Sequence, residues 1–210
     1  MTKLIIITGT TSGLGKKLFN YISKYDYYII SISRTDCELK NIKNHYHLIK
    51  DLSNINDIKT INFNNIFNIN FDKIIYINNA FNSSIGNIGN IENDFIVNCI
   101  NINLTSSLII INKIIKLKTP LKIINITSGV INKTIEGWGL YCSSKTFMEN
   151  ILNHIDIEND NINIVNFNPG VFDSNIQSKL RNSDLKNKDY FRTLNFRSLD
   201  DIIIELVKLF

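Results

Sequence analysis

Tyr141-Cys142-Ser143-Ser144-Lys145 sets a phenol and an ammonium four residues apart. On a helix, such a pair shares one face a single turn apart. A phenol can donate a proton, but its unperturbed pKa is about 10. A nearby positive charge must therefore bring the phenolate within reach of neutral pH, and lowering a pKa by one takes about 1.4 kcal/mol. This chemistry suits a ketone accepting hydride, whose developing alkoxide needs a proton and whose carbonyl must be polarised beforehand. The spacing alone is weak, since about 0.7 such pairs are expected by chance in a chain of this composition. Tyr46-His47-Leu48-Ile49-Lys50 also matches, and Ser33 precedes Tyr46 by the same interval as Ser128 precedes Tyr141. Residues 45–50 read as a strand, however, where positions i and i+4 lie about 13 Å apart. Lys50 cannot then serve Tyr46, whereas Tyr141 to Lys145 opens a helical pattern.

A second set of residues could hold an anion. Leu4-Ile5-Ile6-Ile7 runs directly into Thr8-Gly9-Thr10-Thr11-Ser12-Gly13-Leu14-Gly15, after which a helical pattern begins. Glycines there let the backbone turn tightly and approach a pyrophosphate seated on the helix N-terminus. The TGxxxGxG spacing resembles the cofactor loop of the short-chain dehydrogenase/reductase superfamily. In that resemblance Gly9, Thr11, Ser12, Gly13, Leu14 and Gly15 cradle a nicotinamide dinucleotide. The second strand ends Ser31-Ile32-Ser33-Arg34-Thr35, and a cation at this point pairs with a 2′-phosphate. Ser33 and Arg34 therefore favour NADPH over NADH. Asp51-Leu52 resembles the adenine-contacting pair.

The resemblance extends along residues 3–176. Leu121 to Ser128 is a buried strand ending in a hydroxyl, and Ser128 resembles the serine that orients the substrate carbonyl. Ile102-Asn103-Leu104-Thr105-Ser106 resembles the asparagine segment supporting a water relay behind the lysine, with Asn98 and Asn101 as rivals to Asn103. Asn78-Asn79-Ala80 resembles the NNAG motif behind the adenosine, through Asn79 and Ala80; Phe81 stands in place of its glycine. Asn168-Pro169-Gly170-Val171-Phe172-Asp173-Ser174 resembles the PGxxxT stretch that holds the nicotinamide amide, through Pro169, Gly170, Val171 and Ser174. The sequences around Trp138 and Phe172 look most like the sepiapterin reductase and benzil reductase branch. That branch implies NADPH-dependent reduction of a small ketone, diketone or aldehyde, with Tyr141 as proton donor. Lys145 would tune Tyr141 and hold the nicotinamide ribose. Trp138, Phe172 and Phe191 are the candidate substrate contacts; Trp138 either stacks on an aromatic substrate or caps its helix. Residues 81–90 and 175–196 would form the pocket and its lid. The alternative is a catalytically silent NADPH-binding sensor or scaffold of the same fold.

These residues need elements to position them. Ile-rich runs at 3–8, 27–33, 45–50, 72–78, 121–127 and 161–168 alternate with helical patterns at 13–25, 54–66, 91–118, 138–157, 174–182 and 199–209. Such alternation predicts an α/β fold: one doubly wound Rossmann-type domain over 1–210, with a parallel sheet of six (or seven) strands covered by helices on both faces. The cofactor half is 1–90, the catalytic half 91–175, and the lid and last helix 175–210. Asn and Ile make up about a third of the chain, which weakens helix propensity throughout. A net charge of +4, scattered rather than clustered, argues against nucleic-acid binding. Three cysteines without CxxC spacing argue for a reducing, cytoplasmic setting. The longest oily stretch, 108–117, is broken by Asn112, Lys113 and Lys116, so no membrane span is expected. His45 and His47 share one face of a strand but have no third ligand in the sequence, so solvated edge histidines are expected rather than a metal site. Without an obvious seventh strand, a homodimer is expected through the helices near 104–118 and 141–157.

Overall fold

A computed structural model describes residues 1–37, 42–64, 66–83, 85–174, 177, 178, 181 and 193–210. The isoleucine-rich runs form strands β1 (Lys3–Thr8), β2 (Tyr28–Ser33), β3 (His45–Ile49), β4 (Lys73–Asn78), β5 (Leu121–Ile126) and β6 (Ile162–Phe167). They lie in one parallel sheet ordered β3-β2-β1-β4-β5-β6. The doubly wound fold expected from the alternation is the fold observed. Between them run helices α1 (Gly13–Ile22), α2 (Ile55–Lys59), α3 (Asn93–Ile100), α4 (Ser106–Ile115) and α5 (Gly139–Glu158), with α6 (Leu199–Val207) last.

Successive strand side chains alternate faces, so each β-strand feeds two cores. Leu4, Ile6, Ile30, Ile32, Ile74, Tyr76 and Ile123 pack under Ile58 of α2, Ile110 and Ile114 of α4 and Met148 and Leu152 of α5. Ile5, Ile7, Ile29, Ile75, Ile77 and Ile124 face α1 and α6, meeting Leu18, Phe19, Ile22, Ile202 and Leu206. Strand order reverses between β1 and β4, which opens a crevice at their C-terminal ends, the usual ligand position in such sheets.

Two expectations about helices need correction. The helix expected over 54–66 is confined to Ile55–Lys59. The asparagines beyond it hydrogen-bond locally rather than supporting helix, as Asn62 does in accepting the Asn64 N–H at 3.0 Å. The stretch expected over 91–118 is broken by a wide π turn at Asn101–Thr105, between α3 and α4. In the stretch expected as helix at 174–182, Gln177, Ser178 and Arg181 are helical, and residues 175, 176, 179, 180 and 182 lie outside the described residues. The Asn93–Ile115 stretch is long and apolar enough to cross a membrane by length and composition. Ile110, Ile111 and Ile114 of that stretch are buried against the sheet.

Candidate active site

The turn after β1 depends on its glycines. Gly9 and Gly13 adopt φ of +75° and +54°, the left-handed region where a side chain is strained. Gly15 has an ordinary φ, but a Cβ there would collide with the Gly9 carbonyl and the Asn79 amide. That close approach folds the loop over the N-terminus of α1. Ser12 begins the helix in extended geometry with no side-chain cap bond, so the helix N-terminus faces outward unblocked by its own side chain. Thr10 Oγ1 is buried without a hydrogen-bond partner among the described residues. A glycine cradle, an open helix N-terminus and an orphaned hydroxyl fit a dinucleotide phosphate.

Asn79 keeps this loop in place. Its Nδ2 donates to Thr8 O at 2.8 Å and Gly9 O at 3.2 Å, while the Asn79 and Ala80 N–H groups donate to Thr8 Oγ1. Asn79 therefore supports the cradle through its side chain. Leu14 packs its side chain into the α1 core, leaving only backbone toward the crevice. Arg34 is exposed just past β2. Ser33 turns inward: it is buried and its Oγ donates to Thr35 O at 2.8 Å. The two residues thus differ in setting, Arg34 exposed and Ser33 buried. Asp51 Oδ1 accepts from the Ser53 N–H and hydroxyl, and Leu52 is buried in the core.

The catalytic candidates meet at the same sheet edge. Tyr141 and Lys145 both lie on α5 and are both buried, each 7% exposed. Burial raises the Tyr141 pKa, and a hydrogen bond with Ser128, just beyond β5, pulls it back. The phenol is thus protonated at neutral pH. Lys145 Nζ donates to Ile126 O at 2.6 Å and sits 4.0 Å from the centroid of the Phe81 ring. Burial pushes its pKa down to about 7. The carbonyl and the π face work in the opposite sense, favouring the ammonium. The helical spacing predicts that Lys145 lowers the Tyr141 pKa. In the fold the lysine is held by Ile126 O and Phe81, and burial dominates the tyrosine.

Phe81 and Trp138 box the phenol edge-on, with centroids 5.1 and 5.4 Å from Tyr141 and planes at 76° and 85°. Trp138 stands at the N-cap of α5, is 5% exposed and makes no side-chain cap bond. Its indole therefore packs on Tyr141 instead of capping. Ile85, Val130, Ile135 and Leu194 complete this apolar pocket wall. Phe81, Ile85 and Leu194 fall in the stretches 81–90 and 175–196 expected to line the pocket, whereas Val130 and Ile135, in the loop after β5, carry no signal in the sequence.

Among the three asparagine candidates, the fold separates them by burial. Asn98 is exposed, and Asn101 Nδ2 is spent on Ser53 O at 3.0 Å. Asn103 is buried inside the π turn; its Oδ1 accepts the Asn82 N–H at 2.7 Å and its Nδ2 donates to Asn82 O at 3.0 Å. Beneath the site, in-register Asn78, Asn125 and Asn166 form an amide ladder across β4, β5 and β6, with links of 3.0 and 2.9 Å.

The Pro169-Gly170 turn follows β6, with Gly170 at φ +71°. Arg197, which no sequence motif singles out, clamps it: Nη1 donates to Pro169 O at 3.0 Å and the Arg197 N–H donates to Val171 O at 2.8 Å. Val171 is exposed, and Ser174 Oγ accepts the Gln177 N–H at 3.4 Å. Phe172, expected as a substrate contact, is partly buried. Its ring packs against the α1/α6 core and is not among the residues packed on the Tyr141 cluster. Phe191 lies outside the described residues. The sequence offers no third ligand for His45 and His47, but the turn after β2 returns Cys37 to the pair.

A family model described as short chain dehydrogenase matches residues 3–185. Benzil reductase ((S)-benzoin forming) from Bacillus cereus is 30% identical over 215 aligned positions, covering 91% of this chain and 86% of that protein. The protein of the same description from Bacillus subtilis (strain 168) is 32% identical over 83 positions, 38% of this chain and only 33% of its own length. Among solved structures, 4-hydroxyisoleucine dehydrogenase complexed with NADH superposes with a TM-score of 0.81 at 21% identity, over 99% of this chain and 90% of that one. ElxO with NADP bound gives 0.78 at 20%, over 100% and 91%. Likeness at that identity speaks for the fold.

Proposed function

This chain belongs to the short chain dehydrogenase family, and on that basis we propose that it reduces a small ketone, diketone or aldehyde with NADPH. The observation that carries the reading is the buried Tyr141 phenol, hydrogen-bonded to Ser128 and one helical turn from Lys145, at the sheet edge that also carries the glycine cradle. The similarity to benzil reductases supports a carbonyl substrate.

When bound, the reduced nicotinamide supplies the hydride. Gly9, Gly13 and Gly15 let the backbone reach the pyrophosphate, and Thr11, Ser12 and the Leu14 backbone line the same cradle. Arg34 would pair with the 2′-phosphate, Asp51, Leu52 and Ala80 would hold the adenosine, and Pro169, Gly170, Val171 and Ser174 would hold the carboxamide. Ser128 orients the substrate carbonyl, and Tyr141 gives its proton to the developing alkoxide. Lys145 holds the nicotinamide ribose and, being near its own midpoint at neutral pH, passes protons toward Tyr141; Asn103 supports that relay. Trp138, Phe81 and Leu194 keep water from the reacting carbonyl.

The test is NADPH consumption by wild type and Tyr141→Phe against a panel of diketones, pteridines and aldehydes, with cofactor binding followed by thermal shift. Tyr141→Phe should lose about 10²–10⁴-fold in turnover while binding NADPH normally. Tight NADPH binding without wild-type turnover on any substrate would favour the silent sensor, and binding of neither cofactor would overturn the reading. We further propose a homodimer through α4 and α5. Phe147 of α5 and Phe95 and Val97 of the adjoining α3 are exposed apolar residues in that region. Light scattering should give twice the chain mass, and Phe147→Glu should shift it toward monomer.

A further inference from the structure

The edge of the sheet opposite β6 carries a cluster that the reductase reading does not use. His45 and His47 are two apart on β3, so both rings stand on one face. The β2–β3 register sets Ser31 against His47, and the Ser31 hydroxyl lies 2.7 Å from His45 Nε2 and 2.6 Å from His47 Nδ1. Both rings thus point a nitrogen at one spot. The chain turns after β2 and brings buried Cys37 to the pair; a nitrogen of each ring and the Cys37 sulfur all lie within 4.8 Å of one another.

We propose that Cys37, His45 and His47 form a binding site for a thiophilic divalent cation of the zinc class. Zinc takes sulfur at about 2.3 Å and imidazole nitrogen at about 2.0–2.1 Å, so a tetrahedral site needs ligand atoms about 3.3–3.7 Å apart. The cluster closes to that spacing with side-chain movements of about an ångström. The donor set is one soft thiolate and two imidazoles, which selects zinc, cobalt or copper over magnesium or calcium.

The surroundings of the rings fit ligation. His47 Nε2 lies 3.0 Å from Thr35 O, a group that can only accept. Nε2 therefore carries the proton and Nδ1 presents its lone pair, the outer-sphere bond to a backbone carbonyl that ligating histidines use. Ser31 donates its one proton to His47 Nδ1 and so accepts from His45 Nε2–H; ligation rotates the Ser31 side chain away and moves the His45 proton to Nδ1, leaving a lone pair on each ring for one ion. The Phe19 ring packs on His45 with centroids 4.8 Å apart, which fixes the imidazole on this face. A water completes the tetrahedron, as at zinc sites with three protein ligands. Asp36 and Cys37 also line a cavity with Thr10, Thr11 and Lys16, which is the route in from solvent. Binding releases the Cys37 thiol proton to solvent and leaves a metal-bound thiolate, with no change of oxidation state.

The test uses the full chain after chelator treatment and removal of the chelator, titrated with Zn²⁺ by calorimetry and with Co²⁺ by absorption. One ion per chain is expected, with a thiolate-to-cobalt charge-transfer band in the near ultraviolet and the intense visible bands of a tetrahedral site. Cys37→Ser should abolish the charge-transfer band, and His47→Gln should weaken Zn²⁺ at least tenfold; His154→Gln, on α5, should change neither. Weak octahedral-type Co²⁺ bands, or a charge-transfer band that survives Cys37→Ser, overturn the site. Should a variant unfold, the wild-type Co²⁺ spectrum decides alone: the band supports the site and its absence overturns it. None of these outcomes depends on cofactor binding or turnover.

Discussion

Lys145 and Phe81 form an interaction that no spacing rule anticipates. A buried ammonium 4.0 Å from a ring centroid gains about 2 kcal/mol when water is excluded, enough to move a pKa by more than one. Replacing the ring with leucine removes that preference for the charged form while keeping an apolar side chain. Phe81→Leu should therefore lower the pKa of Lys145, and the basic limb of the kcat/KM–pH profile should move to lower pH by about one. An unchanged profile with reduced thermal stability would reduce Phe81 to packing. The residue identities of Tyr141, Lys145 and Ser128 were legible as a set. Their electrostatic state was not, because it depends on which carbonyl and which ring surround the lysine.

At the scale of elements, the glycine loop separates two demands that look alike in sequence. Gly13 needs a left-handed backbone, but beyond its chain neighbours and its own helix no atom of the described residues lies within 4 Å of where a Cβ would be; Gly15 has an ordinary backbone but no room for one. Gly13→Ala should cost about 1–3 kcal/mol through strain alone, with the loop otherwise intact. Gly15→Ala must push α1 away from the Gly9 carbonyl and from Asn79, so both melting temperature and cofactor affinity should fall further. Thermal shift with and without NADPH compares the two variants, and equal losses would contradict this account. The strands were legible to within a residue or two, since β-branched runs bounded by polar turns leave little choice. The five-residue α2 and the π turn around Asn103 were not. Asparagine has poor helix propensity wherever it falls, and only contacts such as that of Asn103 with Asn82 decide where a helix survives.

For the whole molecule, burying Lys145 makes stability depend on pH. Its folded pKa is about 7 against an ordinary 10.5, so between those values the unfolded chain holds a proton that the folded chain has given up. Stability therefore rises with pH across that window, and the full penalty applies below about pH 7. The raised pKa of Tyr141 acts oppositely, but only once an unfolded tyrosine ionises, near pH 10. From pH 7 to 9 the wild type should gain unfolding free energy relative to Lys145→Met, as read from denaturant midpoints. Parallel curves would show that the lysine remains charged throughout. Closing the sheet also joins the two halves of the site: β1 carries the glycine loop, β5 leads to Ser128, and β4 between them places Phe81 against both residues of α5.

The parallel α/β fold, the glycine cradle and the Tyr-Ser-Lys set follow from the order of residues alone, because they rest on periodicity and on local spacing along one strand or one helix turn. What depends on residues distant in the chain waited for folding. Packing buried Asn103 while leaving Asn98 exposed and Asn101 bonded to Ser53, buried Asn78 and Asn125 in a ladder, clamped the Pro169 turn with Arg197 and set Phe172 against the α1/α6 core. It also brought Cys37 to His45 and His47. In a chain where asparagine and isoleucine recur everywhere, composition makes such residues interchangeable, and only the desolvation and hydrogen bonding of a folded position tell one from another.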